Sequence, residues 1–329
     1  MSVAGVWWVG ADMQTQPTTP SSKGAPRHFT PTPTQPAVDV RPLYRAARMA
    51  KPTISTLLRA PAGPIDLFGV DTRATPGFRK GKSAAKAAHA ETAERLSTLQ
   101  EQLYAEGRTG GNRSVLLVLQ GMDTSGKGGT VRHVVGQCDP SGMHVVTFGR
   151  PTPEELEHDF LWRIRRQLPK PGRIGVFDRS HYEDVLAARV RGAVERRVWG
   201  RRYRTINRFE EELVASGTRV VKCFLHISAE EQRERLLARL DDPTKHWKYN
   251  PGDLEDRALW ADYMAAYTDA LERCNGDAAP WHIVPADRKW YRNWVITKLL
   301  VEQLEDMALE WPAAGFDVEE ERRRLQAIP

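Results

Sequence analysis

Residues 115–130 read Val115-Leu116-Leu117-Val118-Leu119-Gln120-Gly121-Met122-Asp123-Thr124-Ser125-Gly126-Lys127-Gly128-Gly129-Thr130. The apolar run at its start lies between Gly110-Gly111 and Gly121. A short continuous run bounded by glycine predicts a strand buried on both faces, as in a parallel sheet. The glycine loop that follows leads into a helical stretch from Val131. Strand, glycine loop, lysine and helix together form a cradle for phosphate, in which backbone N–H groups and a helix N-terminus face the anion. Gly121, Gly126, Gly128, Gly129, Thr130 and Arg132 are the candidate phosphate contacts, with Lys127 reaching the outer phosphates. The spacing is GxxxxGK, but Gly128 stands where a Mg²⁺-holding Ser or Thr is usual.

Asp123 inside the loop answers that departure. A carboxylate ~4 Å from a phosphate is repelled by ~4 kcal/mol at an effective dielectric near 20, so a cation must stand between them. Asp123 is therefore a candidate Mg²⁺ ligand, since that ion typically takes one or two carboxylates plus substrate phosphates. A second carboxylate follows another apolar run, Ile174-Gly175-Val176-Phe177, which ends in Asp178-Arg179. A strand ending in Asp has the form of a Walker B element and would share the metal with Asp123. Arg179 would present its fork of donors to the same phosphates, the competing reading being a local ion pair with Glu183 or Asp184. Where both donor and acceptor are phosphates, no histidine base is required, because the acceptor oxygen is already ionised near pH 7. His133, His144, His181 and His226 are accordingly read as structural or surface residues.

Working outward, further short runs fall at Val145–Phe148, Val220–Ile227 and Trp281–Val284, with helical stretches between them. Thr152-Pro153-Glu154-Glu155 and Ser228-Ala229-Glu230-Glu231 both carry a capping-box spacing. Leu96, Leu99 and Leu103 place one apolar face on a helix over 83–104. This alternation predicts an α/β fold with a mainly parallel sheet covered on both sides, its ligands at the carboxyl ends of the strands. Residues 1–40, rich in Pro, Thr, Gln and Ser, are expected to be a disordered tail. Residues 41–110 are expected to form a wrapping segment and a helix, 111–312 the catalytic domain with a lid near 187–208, and 313–329 a C-terminal tail.

The chain has 329 residues, 40% of them hydrophobic and 27% charged, which excludes wholesale disorder and fibrous repeats. Its three cysteines are scattered, which excludes a disulfide framework and a thiolate zinc site. With no apolar run near the ~20 residues of a membrane span and no secretory signature, a cytoplasmic protein without a membrane partner is expected. The net charge is +6, and the basic residues crowd between Arg189 and Arg208. That density favours a polyanionic partner. Arg189, Arg191, Arg201 and Arg202 are candidate lid residues. Lys245 and Lys248, in Asp242-Pro243-Thr244-Lys245-His246-Trp247-Lys248, are candidate contacts to the phosphate donor. Trp290 and Trp294, four apart, are read as core rather than as a nucleic-acid patch.

The sequence resembles the polyphosphate kinase 2 family, through GMDTSGKGGT (121–130), HDFLWR (158–163), FDRSHYEDVL (177–186), LHIS followed by EQ (225–232), DPTKHWK (242–248) and APWHIVPADRKWYRN (279–293). The resemblance implies a thymidylate-kinase-like P-loop fold, three layers α/β/α, with a helical lid. It further implies Mg²⁺, inorganic polyphosphate as donor, and a nucleoside mono- or diphosphate (AMP, ADP or GDP) as acceptor, or the reverse transfer. A homo-oligomer, dimer or tetramer, and no specific nucleic acid are expected on the same ground. By matching positions, Asp123 and Asp178 would hold the metal, and Lys127 and Arg179 would contact phosphate. The subgroup that takes both AMP and ADP is the nearest in pattern, although Gly128 departs from its usual Asp. The alternatives are an ATP-dependent nucleotide kinase on the same fold, or a polyanion- or RNA-binding module without turnover.

Overall fold

A computed structural model describes residues 52–329, so the tail expected over 1–40 lies outside the described residues. Five strands form one sheet: β1 (Ser114–Gln120), β2 (Met143–Thr147), β3 (Ile174–Asp178), β4 (Thr218–His226) and β5 (Trp281–Pro285). Their order is β2-β3-β1-β4-β5, and every neighbouring pair is parallel. All five coincide with the apolar runs read from the sequence. The reason is physical: β1 is buried at all seven positions, so it carries no polar alternation to disguise it.

Alternate side chains of β1 leave the sheet on opposite faces. Val115, Leu117 and Leu119 pack with Leu96, Leu99 and Leu103 of helix α1 (Lys82–Arg108), and with the helix that closes the sheet. Full burial of each such leucine is worth ~1.5–3 kcal/mol. Leu116 and Val118 enter a second cluster, with Tyr203, Ile206 and Phe209 of one helix and Tyr263, Met264 and Tyr267 of another. The remaining long helices are α2 (Lys127–His133), α3 (Arg196–Ala215), α4 (Ala229–Leu240), α5 (Trp260–Arg273) and α6 (Lys289–Glu305). With α1, α2 and α6 on one face and α3 and α5 on the other, the molecule is a three-layer α/β/α sandwich of P-loop kinase type.

The connection after β1 runs toward the β2 edge, and the one after β3 crosses back over β1 to β4. The crevice outside the carboxyl end of β1 is thus where the winding reverses, the place where open α/β sheets put their ligands. Residues 52–80 lie against the same domain: a short helix, Ile54–Leu58, precedes buried Ile65 and Leu67, and Phe78 packs on Trp290 and Trp294. Trp294 is buried in the core, as its spacing indicated.

The two capping-box spacings part ways. At Thr152 both reciprocal bonds form, with Glu155 N–H donating to the hydroxyl and Thr152 N–H to the Glu155 carboxylate. At Ser228 only the hydroxyl half forms. Glu231 turns instead to Arg235, 2.7 Å away, and Ser228 N–H donates to Asp287 at 3.0 Å. A charged partner one helical turn ahead outcompetes the neutral backbone donor.

Candidate active site

Gln120 ends β1, and the chain turns sharply through Gly121 to Gly126 before entering α2. Gly121 and Gly126 both take positive φ, +150° and +108°. Gly126 has to be glycine for a second reason: a Cβ there would lie 1.6 Å from Nη1 of Arg292. Thr124, at φ +63°, holds a left-handed conformation that costs a non-glycine residue ~1–2 kcal/mol. Across the crevice Arg179 has φ +64°. Among the described non-glycine residues only Ala308 shares this region, so two of the three such residues face each other here. Strained backbone gathered at one place marks a functional site.

Asp178, the last residue of β3, lies beside Leu119 of β1 and Thr147 of β2 in register, and its carbonyl accepts from Phe148 N–H at 3.0 Å. Arg179 Nη2 donates to Asp123 Oδ1 at 2.9 Å, so its partner is the loop carboxylate and neither Glu183 nor Asp184. Asp184 binds Arg202. Burial works against the Arg179 charge, but Glu183, Asp123 and Asp178 outweigh it and raise its pKa. Lys127 is buried, and its ammonium donates to Gly121 O at 2.7 Å and Met122 O at 3.3 Å, folded back on its own loop. Burial lowers its pKa, aided by Arg179 and opposed by Asp123, Asp178 and Glu183. Arg179 touches Asp123, Asp178 precedes Arg179 at the end of β3, and the Lys127 ammonium lies against the loop that carries Asp123, so these charges gather at the carboxyl ends of β1 and β3. Glu183 sits there with a carboxyl pushed up by burial and held down by Arg179 and Lys127.

The other predicted residues divide. Gly128 and Gly129 lie in the first turn of α2 with Thr130 buried behind them, whereas Arg132 points to solvent. Arg189 is bound to Asp269 at 2.5 Å and Arg191 to Asp256 at 2.7 Å. Arg202 bonds both Asp184 O and Oδ1, and its guanidinium lies over Phe160. Arg201 is exposed. Lys245 is exposed and paired with Asp242 at 2.5 Å, and Lys248 covers the exposed Trp247 ring.

Four residues escaped the reading from sequence. Arg235, buried on α4, donates to Thr124 O and Ser125 O of the loop, to Ala286 O and Asp287 O after β5, and to Glu231. Gln232 reaches Asp123 O. Arg292, buried on α6, sits under Gly126 and Gly129 with Nη1 at 3.4 Å from Ser125 O. Burial, and then Arg235, push its pKa down to about 10. Lys289 lies beside both arginines; burial and their charges lower its pKa. Three of these positions had a usable signal: Gln232 and Arg235 are three apart on one face, directly after a helix start, and Arg292 precedes the apolar Val295 and Ile296 by three and four residues.

The site suits phosphate. The hydroxyls of Thr124 and Ser125 are buried without hydrogen-bond partners in the protein, which leaves them free to take a water or a phosphate oxygen. The described residues hold no group of three or more His, Cys, Asp or Glu side chains placed to bind a metal by themselves. Two carboxylates completed by phosphate oxygens are nonetheless what Mg²⁺ takes in sites of this kind, so Asp123 and Asp178 fit it. A cavity of about 430 Å³ opens between His158-Asp159-Phe160 and the arginines at the start of α3. Another, about 420 Å³, lies at the carboxyl end of β2, with Phe148, Arg150, Trp162, Arg163 and Arg166 among its lining residues. No helix among the described residues is long and apolar enough to cross a membrane.

Comparison with known proteins agrees with this geometry. A family profile described as Polyphosphate kinase 2 (PPK2) matches residues 79–312. An AMP/ADP-polyphosphate phosphotransferase of Meiothermus ruber is 48% identical over 252 residues, 77% of this chain and 93% of that protein. An ADP-polyphosphate phosphotransferase of Rhodopseudomonas palustris is 44% identical over 231 residues, 67% of this chain and 78% of the relative. The crystal structure of Polyphosphate Kinase 2 from Arthrobacter aurescens TC1 superposes with a TM-score of 0.81 at 50% identity, covering 84% of this chain and 97% of that one.

Proposed function

The chain belongs to the polyphosphate kinase 2 family and is a phosphotransferase, and we propose that it moves a phosphoryl group between inorganic polyphosphate and AMP or ADP. The observation that carries this reading is the convergence of Asp123, Lys127, Asp178 and Arg179 on one crevice at the carboxyl ends of β1 and β3. Transfer between two phosphates needs alignment and charge neutralisation more than proton removal. The loop supplies backbone N–H groups and the N-terminus of α2 to one phosphate chain. Lys127 exchanges its loop carbonyls for a phosphate oxygen, a stronger acceptor. Arg179 has four N–H donors beyond the one it gives Asp123, and these address the group in transfer.

Mg²⁺ would be held by Asp123 and Asp178 together with phosphate oxygens, and would neutralise charge on the transferring group. The cavity beside Phe148 adjoins Asp178 through the Phe148 N–H bond, and its arginines offer an anionic acceptor a seat. The test is incubation with polyphosphate, Mg²⁺ and AMP or ADP, with no other triphosphate, following products by ion-exchange chromatography. ADP or ATP should appear as the polymer shortens, and Asp123→Asn should cut turnover by orders of magnitude with the fold intact. No product would favour an ATP-dependent nucleotide kinase. Polymer binding without shortening, indifferent to Asp123→Asn, would favour a binding module.

A further inference from the structure

Lys222 stands in the middle of β4, inside a run otherwise read as apolar, and its side chain is fully buried. Its three N–H donors are all engaged: Glu210 Oε2 at 2.6 Å, Tyr182 Oη at 2.8 Å and Cys274 O at 2.7 Å. Glu210, on α3, accepts at its other oxygen from Tyr182 Oη at 2.9 Å and lies 3.2 Å from His181 Nε2. Burial opposes ionisation of Glu210, yet Lys222 and His181 hold its carboxyl below the usual range. A buried ion pair is a poor way to gain stability, because an apolar pair of the same volume usually does as well or better. What this pair does is join three elements. His181 and Tyr182 open the short 3₁₀ turn His181–Asp184, two residues beyond Arg179.

We propose that Lys222, Glu210 and Tyr182 are positioning residues for Arg179, clamping the turn that follows it to α3 and to the sheet. The inference rests on the phosphotransferase reading above. Arg179 keeps a left-handed backbone only if its surroundings over-determine it. On its upstream side, Arg179 N–H donates to Leu119 O at 3.1 Å. Downstream, Ser180 Oγ accepts from Tyr182 N–H, and Glu210 fixes the Tyr182 hydroxyl. The far end of the same turn is held by the same helix, through the two bonds from Arg202 to Asp184. Arg202 and Glu210 are eight residues apart and share one face of α3. Helix α3, which carries arginines in its first two turns, is thereby coupled rigidly to the guanidinium that addresses the transferring group.

The test is the double substitution Lys222→Met with Glu210→Leu, which leaves no unpaired buried charge, measured in the wild-type and Arg179→Ala backgrounds. In the wild-type background kcat should fall about 10- to 100-fold while KM for the nucleotide shifts less than about threefold. In the Arg179→Ala background the same pair should cost almost nothing further, since effects that act through one group are not additive. A structural role alone would give the same fractional loss in both backgrounds, and that outcome overturns the inference. So does a folded double variant with unchanged kcat. If the double variant does not fold, Tyr182→Phe, which keeps the ring and removes the hydroxyl, must show the same non-additivity with Arg179→Ala. A wild-type chain with no polyphosphate-dependent turnover would overturn the parent reading, and this one with it.

Discussion

Gly126→Ala and Gly128→Ala make the same change two residues apart, and the structure sends them in opposite directions. At Gly126 the added methyl would sit 1.6 Å from Nη1 and 2.5 Å from Cζ of Arg292. The guanidinium has little room to retreat, because Arg292 is 3% exposed and is bound to Asn293 Oδ1 at 2.8 Å. Displacing it disrupts a buried, charged hydrogen bond, ~1.5–3 kcal/mol. The φ of +108° adds ~1–2 kcal/mol for any residue with a Cβ. A total of ~3 kcal/mol expressed in loop geometry corresponds to a loss of ~10²-fold in kcat/KM. At Gly128 nothing lies within 4 Å, and the residue is in the first turn of α2. Alanine there gains ~0.5–1 kcal/mol of helix stability, about 1–2 °C in Tm for a chain of this size. The assay is initial-rate ATP formation from ADP and polyphosphate, alongside calorimetry of each variant. A Gly126→Ala enzyme within threefold of wild type at unchanged Tm would refute the account of Arg292 as the floor of the loop.

Glu183→Gln should raise Tm at pH 7. Burial pushes the folded carboxyl above its ordinary value, so its ionised form opposes folding at neutral pH, and the gain should vanish as pH falls through that raised pKa; a lower Tm for the variant at pH 7 contradicts this. His282 is held neutral by burial, its pKa lowered to about 4 from 6.5. Its contribution is lost as pH falls from 6.5 toward 4, to a limit of about 3 kcal/mol. His282→Asn, which keeps a donor for Lys222 O, should flatten that limb in pH-resolved denaturant titrations, and two superimposable profiles would count against it. Arg201→Ala should lower the slope of log affinity for polyphosphate against log salt by somewhat less than one, as loss of one neutralised charge requires. Arg189→Ala should lower Tm and leave that slope alone, because its charge already belongs to Asp269.

The sheet was legible because four of its five strands are buried almost throughout and read as apolar runs between turn residues, while the edge strand β2, half-buried or exposed at every position, still carries Val145 and Val146. The strand order was not, since it depends on which helix face covers which side of the sheet. In the site, Asp178 and Arg179 stood out because charged residues at a strand end break the local pattern, and Asp123 and Lys127 because of their places in the glycine loop. Lys222, Arg235 and Arg292 were missed for the opposite reason. Each sits inside a regular element, where a lone cation reads as a solvated side chain, and only tertiary structure supplies the buried acceptors that Lys222 and Arg235 require. Arg292 did leave a trace: Val295 and Ile296, three and four residues on, place it on the buried face of α6.

The basic stretch between Arg189 and Arg208 also changes meaning once its partners are visible. Arg189, Arg191 and Arg202 are matched to Asp269, Asp256 and Asp184, so they hold the fold around the crevice and add little free charge. Arg196, Arg201 and Arg204 are exposed with no carboxylate within salt-bridge distance among the described residues. Two of these, with Arg197, occupy the first two turns of α3, whose first turn contains no acidic residue. Cations at a helix N-terminus oppose the macrodipole by ~0.3–1 kcal/mol each. Glu195 at the N-cap offsets part of this by pairing with Arg197 at 2.6 Å, and an anion settling against Arg201 in the adjoining cavity would relieve more of it. Buried Tyr203, Ile206, Phe209 and Leu213 anchor the rest of α3, so the unfavourable charge is confined to its first two turns.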